Sequence, residues 1–589
     1  MRAHPLLLVT LLSAPALSAQ SAPPAQSALL VDIRDLDAQE YREAAFVLDA
    51  AQAIQLDAVG AEPRNDVHGW VGRDDERDVW PAAAWIIDAR TRAVVWDLRT
   101  AATERTSSGL RRFSGTVQLS PGTYLAHYAS FVATSTSVVG RLRAIIAGQG
   151  SGVRYGGPYV DDGAFRNFTL QIRGTGRRAT ARDTASANRA FDEASIVTLR
   201  PDEPSASLRR AFALDRPTDL LVTATGELRA DGAFDYGWII NADTRQRVWE
   251  MDYVHSADAG GVHKNRSVDT TLRLPAGRYV AYFVSDDTHG PRVWNAVPPF
   301  DPDRWGLTLR VADPAARAAA RDFAWDPVPA GQTIVSLVEV GDNELRSSGF
   351  TLRHPMEVRI YALGEGITPH NDMNDYAWIV DATNRRRVWT MSYDATQPAG
   401  GAEKNRLFDG VVHLDTGSYL VYYKSDDSHS FQKWNDAPPV ESRYWGISIF
   451  PASGRLDKSS VAPYERHPSE ALVELVRMRS DRNSTRRFTL ERDATVRVYA
   501  IGEATGDEMD DYGWITDARS GRTVWEMSYR ATIPAGGAGK NRLFDGAIRL
   551  PAGDYALHYR TDGSHAFNDW NADPPDDPEG WGIALYTVH

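Results

Sequence analysis

Three segments of this chain carry groups able to hold a ligand, with matching residues at identical intervals. Ser285-Asp286-Asp287-Thr288-His289 runs on to Trp294-Asn295, Ser425-Asp426-Asp427-Ser428-His429 to Trp434-Asn435, and Thr561-Asp562-Gly563-Ser564-His565 to Trp570-Asn571. Each then reaches a Pro-Pro pair: Pro298-Pro299, Pro438-Pro439 or Pro574-Pro575. A carboxylate can fix hydroxyls or a cation, an amide gives both donor and acceptor, and an indole face suits the apolar side of a sugar ring. The candidate ligand-binding set is therefore Asp286, His289, Trp294 and Asn295, then Asp426, His429, Trp434 and Asn435, then Asp562, His565, Trp570 and Asn571. The same residues have a structural reading. Asp and Ser cap loop backbone in Asx and ST turns, His bonds a carboxylate or carbonyl, and a buried Trp pins the loop with its indole N–H satisfied.

A cation is the second chemistry. Glu227, Glu365 and Glu503 stand in Gly-Glu pairs at the end of a strand pattern. If those ends meet Asp286, Asp426 and Asp562, carboxylates and backbone carbonyls make an oxygen site of the kind Ca²⁺ takes. The alternative is an ion pair from each Glu to the Arg of a Lys-Asn-Arg triplet, Arg266, Arg406 or Arg542. Zinc lacks a His pair, and the chain has no cysteine, so beyond the Ca²⁺ option no cofactor is expected. Gly536-Gly-Ala-Gly-Lys-Asn541 looks superficially like a phosphate loop, but the required earlier Gly and the Ser or Thr after Lys are missing. It reads as a Gly turn entering a strand. No Gly-x-Ser-x-Gly or His-Glu-x-x-His occurs. Asp426, Ser428 and His429 crowd one loop, whereas a catalytic triad gathers from separated elements. A non-catalytic protein is expected.

Those loops need a scaffold, and the scaffold is repeated. Asp235-Tyr-Gly-Trp238, Asp375-Tyr-Ala-Trp378 and Asp511-Tyr-Gly-Trp514 each open the same series. A second Trp follows (Trp249, Trp389, Trp525), then the Asn of Lys-Asn-Arg (Asn265, Asn405, Asn541), the His, Trp-Asn, and Trp-Gly (Trp305, Trp445, Trp581), at intervals that never change. Self-similarity of this kind marks repeated structural units. A diverged copy precedes them: Trp85-Ile-Ile-Asp, Trp96 and Gly122-Thr-Tyr124 fit the pattern, but Lys-Asn-Arg, Asp-x-x-His and Trp-Asn are replaced by a Gly- and Ser-rich stretch, Gly148 to Gly157. Terminal repeats are often atypical. Met356-Glu-Val-Arg-Ile-Tyr-Ala-Leu alternates as half-buried strands do. Trp378-Ile-Val-Asp and Arg387-Val-Trp-Thr-Met flank the turn residues Ala382-Thr-Asn-Arg and predict a hairpin. No stretch carries a helical apolar stripe. Short strands with frequent turn signals predict an all-β chain of four tandem antiparallel β-sandwich domains of jelly-roll type.

Phe350-Thr-Leu352, Asp375-Tyr-Ala-Trp378 and Leu414-Asp-Thr-Gly-Ser-Tyr419, with their equivalents in the other copies, resemble bacterial pre-peptidase C-terminal domains. The resemblance implies secreted jelly-roll modules, usually non-catalytic appendages of hydrolases, among whose relatives are sandwiches that bind calcium or carbohydrate. The Trp-Asn and Trp-Gly elements lie outside that pattern.

The expected layout is a signal peptide at 1–19, a disordered leader at 20–27, the diverged repeat at 28–173, and repeats at 192–312, 332–451 and 470–589, separated by polar or Ala- and Pro-rich linkers. Arg2, the apolar run Leu6 to Leu12 and Ala14-Pro-Ala-Leu-Ser-Ala19 carry the export reading, in a secreted or periplasmic bacterial setting. No later run is long and apolar enough for a transmembrane helix. A net charge of -13 disfavours nucleic acid, which selects a basic face. The expected function is ligand binding or adhesion, to a glycan or surface polymer, through the repeated Asp/His/Trp loops, with avidity from several weak sites. The alternatives are a purely structural envelope or stalk protein, and a hydrolase or its accessory. The oligomeric state is left open.

Overall fold

The computed structural model describes residues 27–37, 40–62, 80–131, 164–291, 294–367, 372–465 and 470–588. The signal peptide, nearly all of the leader and the Gly148 to Gly157 stretch lie outside the described residues.

The described chain is built from eight antiparallel sheets, a pair for each of four sandwiches. Module three shows the plan. One sheet has the order Val335–Val338, Gly446–Pro451, Met356–Ile367, Asn405–Leu414, Gln397–Pro398; the other has Arg387–Thr390, Tyr376–Asp381, Gly417–Lys424, Leu345–Leu352, Val461–Pro463. Inward residues of both sheets, among them Val358, Ile360, Ile379, Val421, Ile447 and Ile449, form the core. The expected hairpin is present, with Trp378 facing Thr390 and Ile379 facing Trp389. The phenol of Tyr419 donates back to Asp415 O at 2.8 Å and locks the strand entry, and Tyr279 and Tyr555 repeat the contact at Pro275 O and Pro551 O. The equivalent tryptophans stack on the residue at the equivalent position of the adjacent strand: Trp85 on His127, Trp238 on Tyr282, Trp378 on Tyr422 and Trp514 on His558, with ring centroids 4.9–5.3 Å apart.

The sheets run past the boundaries expected from composition. Arg177–Arg178 pairs with Val47 and Phe46, Ala320–Asp322 with Leu214 to Phe212, and Val461–Pro463 with Leu352 to Phe350. These short edge strands come from segments read as linkers, because two or three residues are too few to show alternation. A 14-residue helix, Ala181–Ala194, begins in the first linker and runs into the expected start of the second repeat. It lacks a fully buried residue, so no apolar stripe announces it; a capping box of Thr180 and Asp183 marks its start.

The chain divides into two compact units, Met1–Asn241 with Arg247–Asp322, and Ala242–Gln246 with Phe323–His589. Within the first, the outer face of one module-one sheet (Trp85, Ile87, Leu125, Ala129) packs against Val262 and Val297 of module two. The indole of Trp85 donates to Phe300 O at 2.8 Å, and Arg92 pairs with Asp301. Within the second unit the contact recurs: Trp378 donates to Asp576 O at 2.8 Å, and Arg385 pairs with Asp577 at 2.9 Å. In both, the segment after the Pro-Pro pair receives the neighbouring module. Among the described residues no helix is long and apolar enough to cross a membrane.

Candidate functional site

In module three the repeated residues converge at one end of the sandwich. The strand Met356–Ile367 delivers Glu365, and the residue before it is Gly364 because a Cβ there would stand 2.1 Å from Asp375 O. Gly226 and Gly502 meet Asp235 O and Asp511 O in the same way. The next element delivers Asp375, which is fully buried. Its Oδ1 accepts from Asp426 N at 2.8 Å and its Oδ2 from Trp445 Nε1 at 3.0 Å. The Asp of the opening motif thus ties the Asp-x-x-His loop to the Trp-Gly strand. Modules two and four repeat both bonds with Asp235, Asp286 and Trp305, and with Asp511, Asp562 and Trp581.

His429 has a left-handed backbone (φ 51) and is 0% exposed. Its Nε2 lies 2.6 Å from Asn405 Oδ1 and its Nδ1 2.8 Å from Asn435 Oδ1. Asn405 cannot turn round, since its Nδ2 already donates to Gly400 O and Ala437 O. The ring therefore carries a proton on Nε2. The ring edges meet Trp434 and Trp445 at 5.1 and 5.7 Å. Burial, reinforced by the Lys404 charge, pushes His429 down to about 4, and His565 likewise to about 4. His289 is held well below the usual imidazole range for the same reason. With Nδ1 unprotonated, a half-turn of the exposed Asn435 amide presents an N–H to it; the orientation that keeps Oδ1 there also accepts from Lys404 Nζ at 2.6 Å.

The residues singled out in the sequence do gather at one end of each module, with the His at the centre sealed from solvent and the Asn left outside. His289, His429 and His565 are sealed. Trp294, Trp434 and Trp570 are half-buried against Trp305, Trp445 and Trp581. Asp286, Asp426 and Asp562 each accept from the backbone N two residues on, as Asx turns do. Asn295, Asn435 and Asn571 remain at the surface. Ser428 bonds Asp426, and neither nitrogen of His429 is turned to it. The Lys-Asn-Arg segment is a Gly turn entering a strand, with Gly536 and Gly537 at φ 80 and 66 and the strand starting at Asn541.

The strand ends carrying Glu and Asp do meet. Oxygens of Glu365, Asp375 and Asp426 lie within 4.8 Å of one another, as do those of Glu503, Asp511 and Asp562. The Glu partner is the Lys of Lys-Asn-Arg, at 3.1 Å for Lys404 and 2.7 Å for Lys540, not the Arg. Arg406 instead donates to Thr396 O and lies over Tyr393. Burial pushes the Asp375 carboxyl up to about 8, with the Asp426 charge adding to it, and Asp511 up to about 7 in the same setting. Asp375 and its equivalents were missed as site residues because Trp445, their second partner, lies 70 positions away.

No family model matches the chain, and no curated protein matches it. Among solved structures it is similar, at 10% identity, to the CBM32-1, CBM32-2 and M60 catalytic domains of ZmpB from Clostridium perfringens, over 66% of this chain and 53% of that one, with a TM-score of 0.12. The chain spans about half the length of that protein. At such a score the likeness carries no argument; the fold rests on the sheets themselves.

Proposed function

We propose that the protein is an exported, non-catalytic scaffold whose tandem β-sandwiches are docked in pairs through their Pro-Pro loops. The observation that carries this reading is the repeated clasp, Trp85 and Arg92 on the segment Phe300–Asp301 and Trp378 and Arg385 on Asp576–Asp577. The loops that look like binding loops in sequence thus close their own module, and those of modules two and four receive a neighbour. The test is a pull-down of the mature protein on a panel of bacterial and host polysaccharides. Trp434→Ala and Asn435→Ala should leave any retention as it is in the parent; loss of retention in either would restore the loops as binding sites.

One observation favours a second reading, glycan or surface-polymer binding on module four. Trp85 and Trp378 are 2% and 0% exposed under their neighbours, whereas Trp514 is half-buried and stacks on His558. Gly521 stands where the earlier modules carry Arg92, Arg245 and Arg385. An indole with an open face suits a sugar ring. Under this reading Trp514→Ala abolishes retention on the same panel, and Trp434→Ala does not.

A further inference from the structure

At the Gly-Glu strand end the three decorated modules differ in charge. In module two both oxygens of Glu227 are partnered by cations: Lys264 Nζ lies 2.8 Å from Oε2, and Arg229 donates to Oε1 at 3.1 Å. Two residues beyond the equivalent Glu, module three has Ile367 and module four has Thr505. There the Lys reaches Oε1 alone. The other oxygen, Oε2 of Glu365 and of Glu503, is buried with no hydrogen-bond partner, on side chains only 4% and 6% exposed. A buried polar atom left without a partner is uncommon and calls for an explanation. That both modules lacking the Arg leave this same oxygen bare makes a chance of side-chain placement a poor one.

The surroundings supply the explanation. The Glu, the buried Asp and the loop Asp of each module bring oxygens within 4.8 Å of one another. A calcium ion bonded to each oxygen at about 2.3–2.6 Å spans this separation. Each oxygen of Asp375 and of Asp511 accepts one N–H, which leaves each a second lone pair. Asp426 and Asp562 are half-exposed, so an ion can enter from solvent and complete its shell with water. The Glu and the two Asp side chains of each module have one Lys among them, and a divalent cation that enters displaces the proton held on the buried Asp; in module two a second protein cation is already there.

We propose that modules three and four each bind one calcium ion, at Glu365, Asp375 and Asp426 and at Glu503, Asp511 and Asp562, and that Arg229 takes the place of the ion in module two. The inference is independent of the scaffold reading, because it concerns how a module closes and not what the chain binds.

The experiment is calcium titration by isothermal calorimetry of the full mature chain after chelator treatment, with terbium as a second probe, since its luminescence is sensitised by Trp445 and Trp581 beside the sites. The parent should bind two calcium ions per chain. Ile367→Arg and Thr505→Arg, which copy module two, should each remove one ion and the double variant both, while the chain stays folded by circular dichroism and its melting becomes indifferent to chelator. Arg229→Leu should raise the stoichiometry to three. Absence of calcium uptake by the parent up to millimolar concentration, or two ions still bound by the Ile367→Arg/Thr505→Arg chain, would overturn the proposal; three ions bound by the parent would overturn the role of Arg229.

Discussion

Arg385→Gly tests the pairwise docking of modules at its tightest point. Arg385 sits in the hairpin turn at φ 62, a conformation glycine adopts without strain. Module four already carries Gly521 at φ 72 in the same turn, so the turn itself should not suffer. What is lost is the charged half of the clasp, while Trp378 still donates to Asp576 O. Arg385 and Asp577 are 8% and 5% exposed, and the guanidinium donates to Asp577 Oδ1 at 2.9 Å. Removing one partner of a buried pair costs about 3–5 kcal/mol, because the other charge is left uncompensated. Tyr499 Oη still donates to Asp577 Oδ2 at 3.1 Å, which places the expected loss toward the lower figure, about 3 kcal/mol. For a folding unit of this size 1 kcal/mol corresponds to roughly 2–4 °C, so the transition containing modules three and four should fall by roughly 10 °C in scanning calorimetry. It should also broaden or split, since the modules no longer share the pair. Adding Asp577→Asn, which removes the stranded charge, should recover part of the loss. A single transition at the parent temperature in Arg385→Gly would refute the claim that this clasp couples the modules.

His429→Ala should destabilise the same unit by about 3 kcal/mol: Asn405 Oδ1 is left buried and unpaired, at about 1–3 kcal/mol, and two aromatic contacts disappear; chemical denaturation measures it, and a loss under 0.5 kcal/mol would count against the network. Stability of calcium-free protein should be nearly level from pH 4.5 to 6.5 and fall from pH 6.5 to 8. His429 and His565, held down to about 4, leave the unfolded chain with more protons below its own pKa, so stability rises with pH there. Asp375 and Asp511, pushed up to about 8 and about 7, hold protons that the unfolded chain has released, so their contribution falls with pH up to those values. The slopes oppose each other below 6.5, and only the carboxyl slope continues above it; thermal melts in chelator across that range check the order, and a rise above pH 6.5 would contradict it.

The sandwiches were legible because strand alternation and turn chemistry are local, and the Trp intervals report one strand layout wherever they recur. The edge strands Arg177–Arg178 and Val461–Pro463 were not, since pairing across a sheet decides them and sequence alternation does not. At the site, the gathering of Asp426, His429, Trp434 and Asn435 could be read from one loop. Which way they face could not. It is set by Asp375, Asn405 and Trp445, which arrive on three other strands or strand ends and take the loop's hydrogen bonds for the interior. The Glu–Lys pairing was misassigned to Arg406 because neighbouring cations in Lys-Asn-Arg are indistinguishable until the strand start is placed.

The most direct measurement is the titration of the histidine ring carbons by NMR in selectively labelled protein, with His289→Gln, His429→Gln and His565→Gln to assign the signals. Three rings should keep constant shifts from pH 8 down to 5.5, since the repeated motif closes each module around a neutral imidazole. Titration of those three near the ordinary value of about 6.5 would mean that the loops are open to water, and the account would fail.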